Sequence, residues 1–302
     1  MATLPLSLRR LSALFLAIFL SGGLAFEVSL AFAADWPLSP PRLAANFGSF
    51  AKGRVIVGVA LAGEEGSVRA SEDGEIAFSA EEGTLPSGLP SALGSFVVVE
   101  QRGDIAAVYS HLAPGTLSTR ERKPKAGDTI ASPGRSGWIE GTGVVYQVFD
   151  RRASSWVNPY LLLPPLADDA PPVIRSMALS RGAKSYVIGA AASVPQGTYG
   201  ISVDIADPSN APWSAGALAP YAVRLSVDGV EISQEVFDVA KTKGGKLQLF
   251  AQNPMAADDL RTTEGRYELA ERLFTRGRTI IEVQVEDASG NKHTASWTLL
   301  VE

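Results

Sequence analysis

From Trp36 onward the apolar residues come in short runs, and nearly every run is closed by Gly, Pro, Asp or Ser. "GRVIVGVAL", "EIAFSA", "SFVVVEQ", "IAAVYSHL" and "GVVYQVFD" are rich in β-branched side chains and alternate at period two. That pattern makes strands, because a helix needs apolar residues three and four apart over a longer span. Between Trp36 and Leu166 no long amphipathic helix can be drawn, so the predicted class is all-β.

Past Pro172 the strands lengthen. In "RTIIEVQVEDASGNKHTASWTLLV", Ile281, Val283 and Val285 point one way while Glu282, Gln284 and Glu286 point the other. "DASGNK" (Asp287 to Lys292) and "VDGVE" supply polar turns, and about seven strands with one wet face predict an antiparallel, immunoglobulin-like β-sandwich. "PMAADDLRTTEGRYELAERLF" is expected to hold a helical turn inserted between strands. Between the two patterns, "LPPLADDAPP" (Leu163 to Pro172) reads as a stiff linker with exposed Asp168 and Asp169. The predicted organisation is a β domain over 36–166, a proline-rich linker at 167–172 and a sandwich over 173–302, the two domains folding independently.

The 302-residue chain is 46% hydrophobic and 20% charged with a formal charge of −5, enough to bury cores. No basic stripe with interleaved aromatics occurs, which argues against a nucleic-acid partner. The absence of cysteine excludes disulfides, thiolate nucleophiles and cysteine metal sites. At the N-terminus, Arg9 and Arg10 precede an apolar run from Leu11 to Phe26, and Ala31-Phe32-Ala33 offers a small-x-small cleavage site. Residues 1–33 are therefore expected to be a signal peptide. An uncleaved anchor is the alternative, although the run is short for a span of about 20 residues and Glu27 interrupts it. The expectation is an exported protein of the bacterial periplasm or envelope, with no stable membrane span after cleavage.

Five ordered blocks carry a resemblance: "WPLSPPRLAANFGSF", "VRASEDGEI", "LGSFVVVEQRGDIAAVYSHL", "GDTIASPGRSG" and "VNPYLLL". Over Trp36 to Leu166 they resemble the lysostaphin/LytM-type zinc metallopeptidases, which cut peptide cross-links in peptidoglycan. The resemblance implies an all-β domain of the duplicated hybrid motif type. It also implies a zinc held by two histidines and an aspartate, with further histidines assisting the attacking water. Laid without gaps from Ser136-Gly137, the family pattern puts Gly143 and Val145 where its two histidines belong. Counting back from Val68 puts Val55 and Val59 at the remaining histidine and aspartate, and Gln101 falls at another histidine position. Of the family's imidazoles only His111, in "YSHL", is kept; the other histidine of the chain is His293.

Glycine and valine offer no donor to a metal that needs about three protein ligands. The chain therefore reads as a degenerate member without catalytic residues, bound metal or cofactor. Tyr109, His111, Arg135, Trp138, Tyr146 and Gln147 are the candidate groove residues, since polar-tipped aromatics and turn residues suit peptide and sugar contacts. His111 has two readings, a contact to bound peptide or a structural histidine bonded to backbone; Tyr146 likewise reads as core on its strand. Gly83 to Ser95 is a long loop that would cover the old cleft, present a partner-binding edge or lie passively on the surface. "DIADPSN" (Asp204 to Asn210) lacks the spacing of calcium loops and reads as a solvated turn. The implied partners are peptidoglycan or a cell-wall hydrolase. Two alternatives stand beside this: an active endopeptidase with unrecognised ligands, and a structural envelope scaffold.

Overall fold

The computed structural model describes residues 34–51, 54–84, 91–118, 122–189, 191–214, 217–250, 255–257, 259–262 and 265–302. The expected leader, 1–33, and the tip of the Gly83–Ser95 loop, 85–90, lie outside the described residues. Among the described residues there is no α-helix, only two 3-10 turns, Arg102–Asp104 and Pro159–Leu161, so the chain is all-β as predicted. No described helix is long and apolar enough to cross a membrane.

Each short β-branched run becomes a strand because one face of it can be buried. In Ser95–Gln101, Val97 and Val99 point into the core while Phe96 and Val98 are half-exposed. Its neighbours are Gly74–Ala80 on one side and Ile105–Leu112 on the other; next come Gly143–Asp150 and Ser155–Val157. Val59–Ala62 pairs with the first half of Gly143–Asp150, and Arg42–Ala45 pairs with Val59–Ala62. Val59, Leu61, Val97, Val99, Tyr109, Val144, Tyr146 and Val148 make the core beneath this sheet.

The second region builds two sheets around one core. Lys184–Ile188, Val173–Arg181, Gly197–Ala206 and Tyr267–Phe274 form the first. The second runs Ala191–Val194, Lys292–Val301, Gly277–Glu286, Ala222–Val227 and Val230–Val236. Met177, Leu179, Ile201 and Val203 from one sheet meet Leu225, Ile281, Val283 and Leu299 from the other. The pairing of Ala191–Val194 with Lys292–Val301 is parallel, a departure from the antiparallel expectation. Among the described residues of that stretch no helix forms: Tyr267–Phe274 is a strand on Gly197–Ala206. Its Glu, Leu, Ala and Arg favour helix, but burying Tyr267, Leu269 and Phe274 in the sandwich overrides that preference.

The two regions share structure across the segment that reads as a linker. The hairpin Val239–Lys243/Lys246–Phe250 leaves the sandwich and adds to the first sheet, pairing Trp156 with Ala240 and Val157 with Val239. Edge strand Ser155–Val157 thereby gains a partner instead of exposing its backbone. Asn158 donates from its side chain to the Phe237 carbonyl at 2.8 Å and from its backbone to that of Asp238 at 2.8 Å. Buried Asn46 exchanges two 2.7 Å hydrogen bonds with the backbone of Ala219. Phe47 enters the sandwich core beside Phe237. Gly48 makes that approach possible: its φ is +90°, and a Cβ there would stand 2.7 Å from the Phe237 ring. The proline-rich segment is itself tied down, Pro164 accepting from Trp36 Nε1 at 2.8 Å and Asp168 from Asn291 Nδ2 at 2.8 Å. The described residues fall in one compact unit.

One core-facing charge makes a pH prediction. Glu235 is opposite Val223 in the sandwich and 6% exposed, and burial pushes its carboxyl up to about 7. A carboxyl whose folded pKa is raised binds its proton more tightly when folded. Its contribution is therefore fully present below the unfolded value and is lost as pH climbs toward 7. Glu235→Gln should melt within about 1 °C of the wild type at pH 5 and at least about 3 °C above it at pH 8. A constant difference across that range, read by thermal melts in EDTA, would remove Glu235 as the cause.

Candidate functional site

Alternate side chains of Gly143–Asp150 go to opposite faces of the sheet. Val144, Tyr146 and Val148 enter the main core, whereas Val145 packs on the other side with Ile56, Ala60 and Ile139. On that second side lies a mostly apolar cavity of about 400 Å³, bounded by Arg54, Val55, Ile56, Val57, Leu93, His111, Trp138, Val145 and Gln147, with Ala51.

His111 is its polar centre. The residue is fully buried with φ +65°, and its Nδ1 lies 2.7 Å from the Ser136 carbonyl oxygen. A carbonyl only accepts, so the neutral ring carries its proton on Nδ1 and leaves a lone pair on Nε2. Among the described residues no hydrogen-bond partner meets Nε2. Burial holds the ring below the usual histidine pKa, outweighing the Ser136 hydrogen bond and the charge of Glu82, which act the other way. Trp138 stands edge-on to the imidazole, with centroids 5.1 Å apart at 84°. Ser136 Oγ fixes the turn beneath, donating to the Leu112 carbonyl at 2.7 Å and accepting from the Ser95 amide at 2.9 Å.

Gln147 donates from Nε2 to the Val57 carbonyl at 3.3 Å. Val55, Ile56 and Val145 present methyl groups, so these walls do not fit the three-donor set of a catalytic zinc. What the arrangement offers is an apolar slot with His111 and Arg54 among its lining residues. A ligand with an aliphatic or aromatic part suits it.

The chain is similar in structure to several bacterial proteins. A mutant catalytic domain of the prophage-encoded M23 protein EnpA from Enterococcus faecalis matches at 23% identity, over 40% of this chain and 88% of that one, with a TM-score of 0.33. A structure of the SpoIIQ–SpoIIIAH pore-forming complex matches at 19% identity over 43% and 90%, TM-score 0.36. The antimicrobial peptidase lysostaphin from Staphylococcus simulans matches at 13% identity over 81% and 93%, TM-score 0.35. A family model, to which no functional description is attached, matches residues 171–302. No curated protein matches the chain.

Of the residues singled out in the sequence, His111, Trp138, Gln147, Val55 and Val145 meet at this cavity. Arg135 sits exposed on the adjoining turn, where its guanidinium donates to the Glu140 carbonyl at 3.0 Å. Tyr109 and Tyr146 do not reach the cavity. Both are buried in the opposite face, their hydroxyls 2.8 Å from Ser71 Oγ, which also accepts from Gln101 Nε2 at 3.1 Å. Burial pushes the Tyr109 hydroxyl up to about 12, so the cluster is a neutral structural network.

Val59 and Gly143 do not border the cavity either. Val59 packs in the main core, and a Cβ on Gly143 would stand 2.0 Å from the Leu61 carbonyl oxygen. The cavity side carries Ile56 beside Val55, Ala60 where Val59 turns to the core, and Val145 with Gln147 in the other strand. A slip of one residue turns a strand side chain to the wrong face. Leu93 and Arg54 carry no sequence signal; Leu93 arrives from the end of the Gly83–Ser95 loop, so that loop does border the cleft.

Proposed function

We propose that this is a non-catalytic cell-envelope protein whose cavity around His111 binds peptidoglycan or a cell-wall hydrolase. The carrying observation is the replacement of metal donors by aliphatic side chains around one neutral histidine. Ile56, Ala60 and Val145 pack against one another, where a zinc site would need imidazole and carboxylate. The chemistry left is recognition: Trp138 and the aliphatic wall take an apolar group, and Arg54 attracts a carboxylate. The leader pattern at 1–33 supports export to the periplasm or envelope.

The purified protein should hold no stoichiometric zinc and should not cleave peptidoglycan with zinc added. Trp138→Ala and Arg54→Ala should each weaken binding to soluble peptidoglycan fragments, or to a hydrolase recovered from the envelope, by about tenfold while melting within a few degrees of the wild type. One zinc per chain with chelator-sensitive hydrolysis would instead establish an active endopeptidase. Unchanged binding by both variants would make the cavity vestigial and favour the structural scaffold.

A further inference from the structure

The acidic residues that read as exposed charge and a solvated turn are brought together. Asp207, in the "DIADPSN" segment, is 2% exposed, and Asp287, after Gly277–Glu286, is 3% exposed. With half-buried Asp168 from the proline-rich segment, each contributes a carboxylate oxygen lying within 4.8 Å of the others. Like charges at that spacing repel strongly once water is excluded.

Two of the three are held in place by donors. Asp287 Oδ1 accepts from the backbone of Ser289 at 2.8 Å and Asn291 at 2.9 Å, and Oδ2 accepts from Asn291 Nδ2 at 2.8 Å. The same Asn291 amide donates to the Asp168 carbonyl at 2.8 Å, while Asp168 Oδ1 accepts from the Ala170 amide at 3.0 Å. Asp207 differs: its buried Oδ1 has no hydrogen-bond partner among the described residues. Burial and the two neighbouring aspartates raise its carboxyl to about 7, and no basic group is among the causes acting on it. A buried carboxylate oxygen without donor or counter-charge costs free energy unless something else satisfies it.

We propose that Asp168, Asp207 and Asp287 form a calcium site that clamps the proline-rich segment onto the sandwich. The donors are carboxylate oxygens without imidazole or thiolate, the chemistry of a hard cation. They come from three separate segments and not from one rigid loop, which suits the adaptable six to eight oxygen shell of calcium better than the strict octahedron of magnesium. A second cavity, of about 290 Å³ and bordered by Tyr160, Asp168, Ser209, Asn210 and Ser289, adjoins the cluster at Asp168. Because Asp168 lies between the two β regions, bound calcium would stiffen the junction that the shared sheet already builds.

The test uses the full mature chain stripped with EDTA, then titrated with calcium chloride and melted with and without it. One calcium per chain with Kd between about 10 µM and 1 mM is expected, with a melting temperature several degrees higher at saturation. Asp207→Asn should weaken calcium binding at least tenfold and lose the thermal shift, while melting no lower than the stripped wild type because a like-charge repulsion has gone. Absence of calcium binding up to 10 mM, about ten times the upper Kd expected, would overturn the proposal. So would an undiminished calcium shift in Asp207→Asn, or a shift produced by magnesium and not by calcium.

Discussion

Gly143→Ala should prevent the chain from accumulating as stable folded protein, although it adds one methyl group. The Cβ would lie 2.0 Å from the Leu61 carbonyl oxygen and 3.2 Å from the Ala62 Cα, backbone atoms that cannot rotate away. Those atoms belong to Val59–Ala62, which is bonded to Gly143–Asp150 on one side and Arg42–Ala45 on the other. Relief therefore requires separating two strands in the middle of the sheet. Overpacking of a core commonly costs about 1–3 kcal/mol, and backbone against backbone belongs at or beyond the top of that range. The measurement is soluble yield and thermal melting beside the wild type. A melting temperature within about 2 °C of the wild type would show that the two strands are not this close, and with them the geometry beside His111 would fall. The cause is not backbone conformation, since Gly143 is not among the positive-φ glycines; it is close approach alone.

Cutting the chain between Ala170 and Pro171 should leave one particle, not two domains. The Val239–Lys243 hairpin would still pair with Ser155–Val157, Asn46 would still bond Ala219, and Phe47 would still sit against Phe237. A protease site inserted there and cleaved should give two fragments that co-elute on size exclusion and melt in one transition near that of the uncut chain. Residues 34–166 expressed alone should not melt cooperatively, since Phe47 and the edge of Ser155–Val157 lose their cover. Phe237→Ala in the intact chain should cost about 3–5 kcal/mol, as for other large aromatic deletions from cores. Two separately folded, monodisperse fragments would show that the shared strands are accessory and that the segment acts as a hinge. The sequence favoured the hinge because proline stiffens a linker locally. It did not reveal that Asn158 and Asp238 meet, because that contact joins residues 80 apart.

The sequence by itself determined what depends on near neighbours. Period-two runs bounded by turn residues made the all-β class plain, since a strand's faces are set by alternate residues. The five ordered blocks located the cleft and His111, and the aliphatic character of its surroundings was visible in "GRVIVGVAL" and "GVVYQVFD". The tertiary structure decided everything that turned on register and on distant pairing. Val59 packs in the main core while its neighbour Ala60 faces the other side, and Gly143 lies against the Leu61 carbonyl. Tyr109 and Tyr146, which look like groove aromatics in the chain, became a buried network because their strands face Ser71. Asp168, Asp207 and Asp287 looked like solvated charge one at a time. Only folding, which places three distant segments within a few ångströms and removes the water between them, made them a cluster with a free carboxylate oxygen.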